Sequence, residues 1–176
     1  MLLWVPVLCL LAGMPLPVRA QAVSEHEVQA AFIYNFARFV TWPEAAFPGP
    51  STPVRIAVLG DHGFSDVLEK TVADREVGSH PLKVLRCRNL KEATGAHIVF
   101  VPKGQPWEPE QISKHFGKAA VLLVGEEEGF ATHGGTINFV LRDEKVHFQI
   151  NPVAARKAGL VISARLLSLA EIVTGE

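Results

Sequence analysis

Four short apolar runs, separated by helix-patterned or polar chain, constrain this sequence more than any other feature. They are Val54–Leu59, Leu82–Arg86, Ile98–Val101 and Ala119–Val124. The spacing predicts a helix over Phe64–Ala73 after the first run, a short one over Leu90–Thr94, and another over Pro109–Phe116. Strand alternating with helix in this way dictates an α/β class, with a mainly parallel sheet and helices on both faces. A Pro/Gly/Ser-rich loop at residues 47–53 leads into the first strand.

Past Gly125 the period changes. Thr136–Leu141 and Lys145–Ile150 both alternate, about a tight turn at Asp143-Glu144, which predicts a C-terminal β-hairpin. Pairing Arg142 with Lys145 sets Leu141 opposite Val146, Phe139 opposite Phe148 and Ile137 opposite Ile150. All six then face one side. A one-residue slip would divide them between core and solvent, so the register is strongly specified. Asn151-Pro152 is a cap followed by a first-turn proline, and Gly159 closes that helix. Leu160–Ile162 is expected to cross the core. Ser163 then caps a last helix that turns Leu166, Leu167, Ala170 and Val173 inward.

Ahead of the first strand, residues 24–42 place Val28, Phe32, Phe36 and Phe39-Val40 on one helical face. Ser24 and Glu27 have the spacing of a capping box, and Pro43 ends the helix. Ala30, Ile33 and Ala37 make the other side apolar too. A core helix buried on more than one face explains this better than a dimer contact.

Residues 1–20 read as an export signal: an uncharged apolar run over Met1–Leu11, then Gly13, Pro15 and Pro17, then Val18-Arg19-Ala20 before a cleavage point. The apolar run is shorter than the roughly 20 residues needed to span a bilayer, so no transmembrane span is expected after cleavage. The remainder, 23–176, reads as one domain, which suits a chain of 176 residues. A net charge of -1 gives no reason to expect nucleic acid. Removing the leader takes Cys9 with it and leaves Cys87 alone, so no internal disulfide can form. Cys87 is then a buried small hydrophobe or an intermolecular partner, and burial is the commoner fate.

Three stretches resemble the YfiR family: AAFIYNFARFVTWP at 30–43, VLLVGEEEGFATHGGTINFVL at 121–141, and VHFQINPVAARKAGLVISARLLSLA at 146–170. Their order and spacing match over essentially the whole domain. The resemblance implies a periplasmic regulator, not an enzyme, that restrains a membrane-bound diguanylate cyclase by contacting its periplasmic part. It also implies lowered cyclic di-GMP and biofilm formation, sequestration by an outer-membrane lipoprotein, and a homodimer. Relatives carry a second cysteine where this chain has Ala96, before His97, so redox control through an internal bridge is not expected here.

Motifs for chemistry are sparse. Asp61 invites comparison with a phospho-accepting site, but the third strand ends Val101-Pro102-Lys103 without the required aspartate, and helix capping explains Asp61 better. Gly60-Asp61-His62-Gly63 lacks the spacing, lysine and hydroxyl of a phosphate loop. Seven histidines include no H-x-x-x-H pair, and no G-x-S-x-G elbow is present. No catalytic residue, cofactor or metal site is assigned. A small-molecule binding or sensing protein is the alternative to the regulator.

In an open α/β sheet the loops beyond the carboxyl ends of the strands gather binding residues. Here these are Gly60-Asp61, Lys103-Gly104 with Trp107, and Gly125–Phe130. Glu126, Glu127 and Glu128 would present negative charge to a basic partner. Trp107, in a polar loop between prolines, is either an interface aromatic or part of the loop's own packing. Arg38 and Trp42 border the same region or a dimer seam. The candidate partner-binding residues are therefore Arg38, Trp42, Trp107, Glu126, Glu127, Glu128 and Phe130.

Overall fold

Ser24 starts the first helix. In the computed structural model, which describes residues 24–60 and 62–175, α1 spans Glu25–Phe39. The Ser24 hydroxyl accepts from the Glu27 backbone N–H, and the Glu27 carboxylate accepts from the Ser24 N–H at 2.7 Å. This box satisfies two of the donors that a helix start leaves orphaned. The leader expected at residues 1–20 and the cap expected at Asp61 lie outside the described residues.

The helix stops at Phe39, short of Trp42. Val40 turns extended, and β1 (Val40–Thr41) pairs antiparallel with β9 (Val161–Ile162). Sheet pairing thus ends the helix before Pro43 needs to. The central sheet is built on β2 (Val54–Leu59), β4 (His80–Cys87), β5 (Ile98–Val101), β6 (Leu122–Gly125) and β7 (Ile137–Arg142). These five strands are parallel, in the spatial order β4-β2-β5-β6-β7. β3 (Glu76–Val77) folds back antiparallel on β4 at one edge. At the other edge β8 (Lys145–Ile150) pairs antiparallel with β7, and β10 (Glu171–Ile172) lies parallel to β8.

Side chains alternate across a strand, and both faces of this sheet are covered. Ile56 and Val58 of β2 and Phe100 of β5 lie under α1 and α2 (His62–Val72), which contributes Phe64 and Leu68. On the opposite face Ala57 and Leu59 pack with Val99 and with Ile112 of α3 (Pro109–Phe116). The α/β class with helices on both faces is therefore observed.

The β7–β8 register is the expected one, with Arg142 facing Lys145, Phe139 facing Phe148 and Ile137 facing Ile150. Asp143 and Glu144 both have positive φ, 49° and 58°, as a two-residue type I′ turn requires. Burial covers the first two apolar pairs and then runs out: Leu141 is 57% exposed. α1 closes over the buried part. Phe36 is fully buried, with its ring 5.7 Å from Phe139 and 5.2 Å from Phe148. Phe32 touches the same two rings, while Ala30, Ile33 and Ala37 are fully buried as well. The helix is thus a core element buried on more than one side.

Three expectations need correction. Leu90–Thr94 is a run of turns, closed by i→i+3 bonds from Ala93 N–H to the Leu90 carbonyl and from Thr94 N–H to the Lys91 carbonyl. α4 (Pro152–Lys157) starts at Asn151 as expected, but of Leu160–Ile162 only Leu160 is fully in the core; Ile162 packs against its edge and Val161 is 65% exposed. The last helix, α5 (Ala164–Leu167), is a single turn capped by Ser163. Beyond it the chain is drawn into the sheet, where the Val173 N–H donates to the Ile150 carbonyl at 2.9 Å.

His97, 2% exposed, fastens the loop before β2 to the sheet. Its Nδ1 accepts from the Arg55 backbone N–H at 3.0 Å, so the proton sits on Nε2, which donates to the Ala46 carbonyl at 3.0 Å. Phe47 stacks on the ring at 4.6 Å. Burial is the main cause that pushes the His97 pKa below the ordinary imidazole value; the Ala46 hydrogen bond opposes it, and Arg55 and His80 reinforce it.

Two outcomes follow for stability. A group whose folded pKa lies below its unfolded value of about 6.5 stabilises fully above that value, and the stabilisation is lost as pH falls. Urea unfolding should therefore show stability dropping as pH falls below about 6.5, and His97→Gln should flatten that drop. Phe36→Ala should cost about 3–5 kcal/mol in the same assay, because the ring fills a fully enclosed site.

Candidate functional site at the carboxyl ends of the strands

β2 and β5 are neighbours whose following helices leave to opposite faces, so a crevice opens between their carboxyl ends. In this chain Gln105 lies at its β2 side. A Cβ placed on Gly60, at φ 75°, would lie 2.3 Å from the Gln105 Oε1. The Gln105 amide thus packs against the end of β2, where such sheets commonly hold small molecules.

The open space lies further along the sheet. A cleft of about 770 Å³ runs between the start of α1, the loop after β6 and the far end of β7. Glu126 is the node of this region. Its carboxylate accepts from Gln29 Nε2 at 2.6 Å and from the Lys103 backbone N–H at 2.9 Å, tying α1 to the loops after β5 and β6. Gln29 also donates to Glu25 at 3.2 Å. Glu127 is exposed and accepts weakly from the Gly104 N–H at 3.4 Å. Glu128, also exposed, lines the cleft.

The acidic loop is pinned from below. Phe130 is 1% exposed, and its ring lies between Gly125 and Gly135, where a Cβ would approach it to 2.4 Å and 2.2 Å. Asn138, with its amide nitrogen turned toward the loop, donates to the Glu127 carbonyl at 2.7 Å and the Gly125 carbonyl at 3.2 Å. Asn151 donates from Nδ2 to the Ala131 carbonyl at 2.8 Å while its Oδ1 caps α4. All three anchors are buried and the two amides are hydrogen-bonded, which gives the Glu126–Glu128 segment a fixed shape.

The expected partner-binding residues therefore separate. Glu126, Glu127 and Glu128 are together at the strand ends. Trp107 is half-buried beside Phe130 and borders a second hollow of about 270 Å³ with Pro102 and Glu127. Trp42 and Phe130 are corrected as contact residues. Trp42 is only 8% exposed, its indole N–H donating to the His97 carbonyl at 3.2 Å, and Phe130 lies under the loop it was expected to decorate. Arg38 is exposed at the opposite end of α1, 5.6 Å from the Tyr34 ring and 5.5 Å from the Phe39 ring. Sequence reasoning missed Gln29 and Asn138. A polar residue inside an apolar helical face was the available signal for Gln29.

Cys87 is buried, and burial, with a smaller push from Glu92, raises its thiol pKa. That settles its two readings in favour of a small core residue. Among the described residues no group of three or more His, Cys, Asp or Glu side chains is placed to hold a metal ion. Nor is any helix among them long and apolar enough to cross a membrane.

A family model described as YfiR/HmsC-like matches residues 26–171, covering nearly all of α1 through β10 and every residue that lines the cleft except Glu25. The chain belongs to the YfiR/HmsC-like family. No curated protein matches it. Among solved structures, a conserved domain protein from Vibrio cholerae O1 biovar eltor is similar, with a TM-score of 0.56 and 12% identity. The match covers 85% of this chain and 60% of that one, and it speaks to the fold alone. The YfiR/HmsC-like match places the node at Glu126 and the pin at Phe130 inside the family domain.

Gly135→Ala should test the pin. Its Cβ would meet the Phe130 backbone carbonyl at 2.6 Å as well as the ring. We expect a loss of about 1–3 kcal/mol in urea unfolding, the usual cost of overpacking. Loss of amide-exchange protection should be greatest over residues 126–135.

Proposed function

We propose that this chain is a periplasmic regulator that binds the periplasmic part of a membrane-bound diguanylate cyclase and holds the enzyme inactive. Cyclic di-GMP and biofilm formation then fall. The observation that carries this reading is the family match over residues 26–171, which spans the described domain almost end to end. Export through the leader at residues 1–20 puts the domain on the correct side of the membrane. An outer-membrane lipoprotein would relieve the restraint by competing for the regulator, and the working form would be a homodimer.

The mechanism has one thermodynamic requirement. The regulator must bind the inactive cyclase more tightly than the active one, because only differential affinity shifts an equilibrium. A rigid acidic surface supports this. The Glu126–Glu128 loop is ordered before binding, so a partner does not bear the cost of fixing it. Its charge would also steer a basic surface toward it.

A second reading, a small-molecule sensor, rests on the cleft of about 770 Å³, a size within the range of ligand sites. Both readings are compatible if ligand occupancy alters partner affinity.

Intracellular cyclic di-GMP should rise when the gene is deleted and return when the exported form is supplied. A form lacking residues 1–20 should fail to restore it. No rise under several growth conditions would sink the cyclase reading and leave the sensor.

A further inference from the structure

Five consecutive residues of β7, Asn138 to Arg142, line the cleft. Successive side chains point to opposite faces, so a cleft touching all five runs along the strand's edge. β6 is the reason. It ends at Gly125, opposite Asn138, and among the described residues no strand continues the ladder on that side.

The direction of the free backbone groups follows from the hairpin. A two-residue turn is flanked by a hydrogen-bonded pair, here Arg142 with Lys145, and such pairs alternate with non-bonded ones. Two bonds fix the same alternation from the other end: Asn151 N–H to the Thr136 carbonyl, and Val173 N–H to the Ile150 carbonyl, both at 2.9 Å. Leu141 falls between bonded pairs. Its N–H and C=O point away from β8, into the cleft.

The wall opposite this edge is acidic. Glu25, Glu126 and Glu128 line it against two cations, Lys103 and Arg142, and Arg142 is already held by Glu171 at 2.7 Å. Between Glu25 and Glu126 sits Gln29, 2% exposed, with both carboxylates drawn to its Nε2. Its Oε1 is buried and has no hydrogen-bond partner. Two carboxylates and an unsatisfied amide oxygen converge here, all acceptors. The two carboxylates can accept further from a group with several N–H donors, such as a guanidinium or ammonium.

We propose that this cleft binds an extended segment of a partner protein, which pairs its backbone with the open edge of β7 and places an arginine or lysine beside Glu25, Gln29 and Glu126. Main-chain pairing supplies affinity, and the basic side chain supplies selectivity. The proposal rests on the reading of this chain as a protein-binding regulator, and it names the surface and the chemistry of recognition.

The test selects binders of the leaderless protein, residues 21–176, from a library of random ten-residue peptides. Enriched peptides should carry an arginine or lysine among β-branched residues. Bound to labelled protein, they should shift the amide resonances of Leu141 and Gly129 and the side-chain amide of Gln29. N-methylation of one peptide backbone amide at the pairing position should abolish binding. Glu128→Lys, an exposed change, should weaken binding about tenfold while leaving the urea midpoint unchanged. Leu141→Pro, which removes the edge N–H without breaking a β7–β8 hydrogen bond, should weaken it similarly, whereas Leu141→Ala, which keeps that N–H, should weaken it less.

Peptides lacking a basic residue, peptides insensitive to both Glu128→Lys and Leu141→Pro, shifts confined elsewhere, or no enrichment would each overturn the cleft as the site. So would resonance changes that depend on protein concentration alone, which would assign the edge to a second copy of this chain. None of these outcomes bears on the cyclic di-GMP response to gene deletion, so failure of the site and failure of the regulatory reading are distinguishable.

Discussion

The burial of Phe36 between Phe139 and Phe148 joins the first helix to the last hairpin, and much of the molecule follows from that contact. More than 90 residues separate the two partners in the chain, yet both must lose water together. Once α1 lies on the hairpin, its fully buried Ala30 and Ile33 cover the same face of the sheet as α2. Parallel strands need both faces covered. Here one face is closed by an element that precedes the sheet and the other by α3.

The same docking builds the cleft. Gln29 lies on α1, Glu126 on the loop after β6, and Asn138 on β7. Only helix docking brings Gln29 within 2.6 Å of Glu126. A polar residue is tolerated on that buried face because it ties helix to loop, and its cost appears as an oxygen without a partner. The fold thus carries its polar exception where the surface opens into the cleft. Natural proteins often break local rules at functional positions.

Legibility differed by element for physical reasons. The strands Val54–Leu59 and Ile98–Val101 and the helix Pro109–Phe116 stand where periodicity set them, since their burial is local and two-sided. The hairpin register was readable because a slip would expose its aromatic face. The early end of α1 and the single turn of α5 were not, because each is decided by a remote partner. Val161–Ile162 captures Val40–Thr41, and Ile150 captures Val173. The site divides along the same line. The acidic triplet was visible as charge, whereas Trp42 and Phe130 looked like surface aromatics and are buried.

The sequence by itself determined the α/β class, the hairpin register, the capped start of α1 and the family. These depend on period, turn chemistry and motif spacing, all written within a few neighbouring residues. Tertiary structure alone decided that Gln105 packs against the end of β2, that β7 outruns β6, and that the acidic loop faces the resulting free edge. Those depend on where strands of unequal length end beside one another and on which side chains the packed helices bring there. No local pattern encodes such distances, because they arise only when the core has closed.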